Sequence, residues 1–144
     1  MVLRLQNRLD ELATLQTALD AFAEGQRLPP QATIETALLL EELFVNVVSH
    51  AFPDRLSHQI TVSLERRGDW LEIECADDGV AFDPLTAPPA DTESPLEERP
   101  IGGLGIHFIR HYSDDLAYRR EQGRNILTIR KRLADAPSEE PWKS

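Results

Sequence analysis

The sequence predicts an α+β domain, a two-layer sandwich in which a mixed or antiparallel sheet carries helices on one face. Three observations lead to that expectation. Two long stretches in the first third of the chain repeat apolar residues at three- and four-residue steps, the spacing of helices that bury one face. Two shorter stretches then alternate apolar with polar residues, as half-buried strands do, and a second such pair closes the chain after a proline-rich interruption. With 144 residues, 41% of them hydrophobic, the chain is long enough for one domain with a single core.

Taken in order, Val2, Leu3 and Leu5 read as a short first strand. Leu9, Leu12, Leu15, Leu19 and Phe22 mark the first helix, which Gly25 is expected to end, with Pro29-Pro30 at the join. A second helix runs from about Gln31 to Ala51, buries Leu39, Leu43 and Val47, and stops before Pro53. Ile60, Val62 and Leu64 form a strand, and the run from Trp70 to Cys75 forms another after a turn at Gly68-Asp69, so the two make a hairpin. From Pro84 to Pro100, five prolines and the acids Asp91, Glu93, Glu97 and Glu98 replace any periodic pattern, which reads as a long mobile surface loop. Gly102-Gly103-Leu104-Gly105 opens a third helix to about Tyr112, followed by a strand near Leu116 to Arg119, a turn at Gln122-Gly123 and a strand from about Asn125 to Leu133. The domain therefore occupies residues 1–133, and residues 134–144 read as a disordered tail.

A formal net charge of -10, with the arginines scattered, excludes direct binding to nucleic acid or to an anionic membrane and favours a protein partner or a small ligand. Cys75 is the only cysteine, so there is no internal disulfide and no thiol cluster for zinc. No signal peptide and no apolar run of about 20 residues is present, which leads to the expectation of a soluble, cytoplasmic protein.

Three segments carry candidate chemistry. Glu42, Asn46 and His50 recur every four residues and so share one face of the second helix; alone, that stripe is better read as a solvated surface. Asp77-Asp78-Gly79 follows a strand, and a carboxylate there, beside a glycine that admits a flat ligand, can accept a hydrogen bond from an adenine amino group; a plain acidic turn explains it equally. The glycines of Gly102-Gly103-Leu104-Gly105 expose backbone N–H groups at a helix start, which is a phosphate cradle, although glycine-rich turns are common. The two lysines, Lys131 and Lys143, follow no glycine loop, so a P-loop mechanism is excluded. His107 and His111 are spaced as a metal pair but lack a third ligand, and Cys75 reads as a small core residue.

In combination and order, these segments resemble the N box and the two G boxes of the GHKL ATPases, the superfamily of gyrase, histidine kinases and heat-shock chaperones. The chain is most similar to the anti-sigma-factor serine kinases, whose E-x-x-x-N-x-x-x-H, D-x-G-x-x-F-D-P and G-G-x-G-[IL] patterns are matched at Glu42/Asn46/His50, at Asp77/Gly79/Phe82/Asp83/Pro84 and at Gly102/Gly103/Gly105/Ile106. The run from Gly123 to Thr128 also looks like that family's last hairpin. The resemblance implies ATP and Mg²⁺ as cofactors, with Glu42 as general base, Asn46 as the Mg²⁺ ligand, Asp77 on adenine and Gly79 letting the base approach. His50, Gly102, Gly103, Leu104, Gly105 and Thr128 would complete the nucleotide site, and residues 84–101 would form an ATP lid. It also implies protein partners: an anti-sigma-factor antagonist as phosphoryl acceptor, a sigma factor, and a second copy in a homodimer. The lid departs from the family in being long, acidic and rich in proline. A non-catalytic, nucleotide-switched binding module shares the same site and is the alternative function.

Overall fold

The computed structural model describes residues 1–83 and 109–133. Strand β1 (Val2–Gln6) is followed by a 3-10 turn at Leu9–Glu11, helices α1 (Leu12–Gln26) and α2 (Pro30–His50), the hairpin β2 (Gln59–Arg67) and β3 (Trp70–Asp77), and the hairpin β4 (Asp115–Glu121) and β5 (Arg124–Arg132). The five strands form one sheet in the order β1-β2-β3-β5-β4, and each neighbouring pair is antiparallel. The architecture is the expected α+β sandwich, with the antiparallel form realised throughout.

Burial explains the layers. Leu5, Ile60, Val62, Leu64, Leu71, Ile73, Leu127 and Ile129 project from one face of the sheet into a core completed by Leu15 and Leu19 of α1 and by Leu39, Leu40, Leu43 and Phe44 of α2. Each such side chain contributes about 1.5–3 kcal/mol on removal from water, which is what fastens the helical layer to the sheet. The opposite face is polar, with Glu72 of β3 meeting Arg130 of β5 at 3.3 Å. Cys75 belongs to the core, and desolvation pushes its thiol up to about 12, which makes it unreactive packing.

Helix α1 does not stop at Gly25. It continues to Gln26, and Arg27 takes the left-handed conformation (φ 52°) that closes it. The N–H of Leu28 then donates to the carbonyl of Ala23 at 3.0 Å, and Leu28 is buried. Docking of Leu28 in the core therefore fixes the helix end, and the arginine accepts the strained backbone that a glycine would take freely. Pro30 begins α2 in its first turn, where a missing N–H removes no helical bond. The β4–β5 turn holds both Gln122 (φ 51°) and Gly123 (φ 75°) at positive φ, which suits the twist of a two-residue hairpin loop. Among the described residues, no helix is long and apolar enough to cross a membrane.

Candidate functional site

Three side chains of α2 lie along one line of the helix, spaced by about 6 Å for each four-residue step. Asn46, in the middle, is buried, and its Nδ2 donates to the backbone carbonyl of Glu42 at 2.9 Å. The amide nitrogen is thereby committed, while Oδ1 accepts no hydrogen bond among the described residues. Glu42 is half-buried, and its carboxylate makes neither a hydrogen bond nor an ion pair there. Burial, and then the neighbouring Glu41, push its pKa above the ordinary carboxylate range. His50 is exposed, with its ring 5.5 Å from that of Phe82.

Asp77 ends β3 opposite Asn125 of β5 and is 2% exposed. Its Oδ1 accepts from the Gly79 N–H at 2.8 Å and from Asn125 Nδ2 at 2.9 Å, while Oδ2 takes neither bond. Burial raises the pKa of Asp77, and the Asn125 and Gly79 bonds pull against that rise. The next residue, Asp78, binds Nδ1 of His58 at 2.9 Å, while Asp54 binds Nε2 of His58 at 2.8 Å. These carboxylates, Asp54 foremost, raise the pKa of His58, whose ring stacks on Phe52 at 4.7 Å. A cleft of about 230 Å³ runs between Phe52, His58, Asp78 and Arg120, and neither Glu42, Asn46 nor Asp77 lines it. The His58 cluster thus braces the turn from outside the Glu42–Asp77 face.

Gly79 has a backbone reason to be glycine. A Cβ there would lie 2.3 Å from the carbonyl oxygen of Ala51, just after α2, and the N–H of Val80 donates to that same oxygen at 2.8 Å. Close approach of the turn to the end of α2 demands the missing side chain, and this contact holds the Asp77 turn beside the Asn46 helix.

Comparison with known proteins identifies the assembly. A family model described as histidine kinase-like ATPase domain matches residues 5–131. The chain belongs to that family, on its serine-kinase branch. It is 30% identical over 127 residues to the serine/threonine-protein kinase BtrW of Bordetella bronchiseptica, an alignment covering 84% of this chain and 89% of that one. It is 32% identical over 94 residues to the serine-protein kinase RsbW of Bacillus cereus, covering 62% of this chain and 58% of RsbW. Among solved structures, the blue-light activated histidine kinase of Erythrobacter litoralis aligns with a TM-score of 0.54 at 22% identity, over 77% of this chain and 33% of that one, a likeness of fold.

The family brings ATP, and the donor set fits it. Among the described residues Asn46 keeps an uncommitted amide oxygen, the hard ligand Mg²⁺ prefers, and Asp77 an uncommitted carboxylate oxygen able to accept from an amino group. Thr128 does not join them. It pairs with Glu74 across β3 and with Ala117 across β4, so strand alternation puts it on the polar face, away from Asp77. The inward residue facing Asp77 is Asn125, which the sequence reading treated only as part of a hairpin. A signal for it existed: Asn125 is polar at the inward phase of a strand that continues with Leu127 and Ile129. Gly102, Gly103, Leu104, Gly105, the lid at 84–101, most of the third helix and the tail at 134–144 lie outside the described residues. Of that helix, a turn at 109–111 is described, with Ile109 fully buried. His111 is exposed and meets the Tyr112 ring edge-on at 4.9 Å, and among the described residues no group of three metal-binding side chains gathers.

Proposed function

We propose that this chain is an ATP-dependent protein serine/threonine kinase of the anti-sigma-factor type, which phosphorylates a small antagonist protein and in its other state holds a sigma factor. Membership in the histidine kinase-like ATPase family supports the nucleotide, and the names of the BtrW and RsbW relatives support the acceptor class. The observation that supports the reading is that three acceptors stay unspent among the described residues, the Glu42 carboxylate and Asn46 Oδ1 on α2 and Asp77 Oδ2 at the end of β3, where the turn at Gly79 packs against Ala51 just after α2.

In this reading Asp77 receives the 6-amino group of adenine, and His50, beside Phe82, lines the mouth of the site. Asn46 would hold Mg²⁺, which when bound neutralises charge developing on the transferring phosphate. Glu42 takes the proton from the acceptor hydroxyl, and its raised pKa brings it closer to that of a base working near neutral pH. The motif assigns the Gly102 to Gly105 run to the phosphates. A homodimer and a cytoplasmic setting complete the proposal.

Transfer of label from γ-phosphate-labelled ATP to a purified candidate antagonist tests it. Glu42→Gln keeps the shape of the side chain but cannot take a proton, so transfer should fall about 10²-fold or more while ATP binding stays within a few-fold. Unchanged transfer by Glu42→Gln removes the base assignment. If ATP binds but neither protein transfers phosphate to any candidate, the nucleotide-switched binding module becomes the better account.

A further inference from the structure

We infer that Asn125 sets the purine selectivity of the site, acting as a positioning residue that fixes which oxygen of Asp77 faces the base. The inference rests on the assignment of Asp77 to adenine proposed above. Asn125 is 4% exposed and its amide is saturated. Nδ2 donates to Asp77 Oδ1 at 2.9 Å and to the Val80 carbonyl at 2.8 Å. Its Oδ1 accepts from the Phe82 N–H at 3.1 Å, from the Tyr118 hydroxyl at 2.6 Å and from Arg120 at 3.0 Å. Arg120 also donates to the Gly79 carbonyl at 2.8 Å. A flipped amide would confront like with like at four of the five bonds, the Tyr118 hydroxyl alone being able to exchange donating for accepting, so its orientation is locked.

The consequence falls on Asp77. Two donors, Asn125 Nδ2 and Gly79 N–H, converge on Oδ1, favour the ionised form against the burial that raises the pKa, and fix the carboxylate in one rotamer with Oδ2 left to accept. An acceptor there welcomes the 6-amino group of adenine and repels the 6-carbonyl of hypoxanthine or guanine. Without Asn125, a buried carboxyl keeping only the Gly79 bond gains a proton more readily, and as a neutral acid it offers a donor that suits a 6-oxopurine. Selectivity would then depend on pH more strongly than while the amide is in place.

The test is calorimetric titration of the full chain with Mg²⁺ and either ATP or ITP, whose bases differ at the 6-position, at pH 6 and pH 8. The unmodified chain should prefer ATP at both. In Asn125→Leu, ATP affinity should fall about tenfold while ITP affinity changes less than about twofold, and the residual ATP affinity should rise from pH 6 to pH 8 as Asp77 ionises. Asn125→Thr, which restores one hydroxyl donor, should recover part of the preference. Should Asn125→Leu fail to fold, Asn125→Asp keeps the shape but sets a second carboxylate against Asp77, and its ATP-to-ITP ratio should drop below that of the unmodified chain at pH 6. Equal weakening of both nucleotides with no new pH dependence would mean a merely structural role and overturns the inference alone. An unmodified chain that binds neither nucleotide, or both equally, overturns the adenine assignment and the inference with it.

Discussion

Two polar clusters interrupt the apolar layer between sheet and helices, about 20 Å apart along β5 if strand rise is counted from Asn125 to Lys131. At one end, Lys131 is buried and its Nζ reaches Glu35 Oε2 at 2.7 Å and the Tyr112 carbonyl at 3.2 Å, with the Tyr112 ring 5.5 Å away. At the other, Asp77 is buried against Asn125 and Gly79, with its charge unpaired by direct contact and one oxygen unspent among the described residues. The first cluster answers its own charge and ties β5, α2 and the 109–112 turn together. The second leaves an answer to something outside the chain. Unspent capacity alone does not mark such a site, since the Thr36 hydroxyl is also buried with no partner among the described residues. The difference is that Thr36 is neutral and fully enclosed, whereas Asp77 is a charged group at a strand end, on the face where Asn46 and Glu42 also keep free oxygens.

Breaking the paired cluster should have the largest effect. Glu35→Leu strands the Lys131 ammonium inside the interface, and urea unfolding should show a loss of about 3 kcal/mol, most of it recovered when Lys131→Met is added. A loss below about 0.5 kcal/mol would show that the pair behaves like a surface ion pair. Asp77→Asn should reverse the pattern. Because Asn125 and Gly79 both donate to one oxygen, the new amide must keep its oxygen there and turn its NH₂ toward the base, so ATP affinity should drop about 10²-fold, close to 2.7 kcal/mol. Stability should not drop with it. The folded pKa of Asp77 lies above its unfolded value, so the unmodified chain loses stability as pH rises from the unfolded toward the folded value, and the variant avoids that loss at neutral pH. Denaturation at pH 4 and pH 7 checks the sign, and a variant that is less stable at pH 7 would contradict it. The smallest change expected is from Thr36→Val, which removes the orphaned hydroxyl at nearly constant volume and should raise the unfolding free energy by about 1 kcal/mol without altering ATP affinity.

The elements were legible because their causes are local. Period-two and period-3.6 patterns placed both helices and all five strands within a few residues, and Gly68 and Gly123 stand at their turns with positive φ. The end of α1 was misread because a glycine signal was weighed without the docking of Leu28. Within the candidate site, Glu42, Asn46 and Asp77 could be proposed from spacing and resemblance. What Gly79 does for the fold could not, because the carbonyl that excludes its side chain belongs to Ala51, 28 positions earlier. Thr128 and Asn125 differ by an odd number of strand positions, so an assignment made on the motif instead of the pleat falls on the wrong face. The His58 brace joins Asp54 and Asp78 through tertiary contact, and no period announces it.

The pairing of β3 with β5 also bears on how this chain can change over generations. The polypeptide leaves the sheet at Asp77 and re-enters it at Asp115, opposite Arg130 toward the other end of β5; the exit is held by the Gly79 turn against Ala51, and before the re-entry Ile109 is already anchored in the core. Both ends of the intervening stretch are clamped by contacts that do not involve its length. The register that sets Asp77 beside Asn125 is written entirely in β3 and β5, so the carboxylate and amide stay opposed whatever sequence change falls between residues 84 and 108.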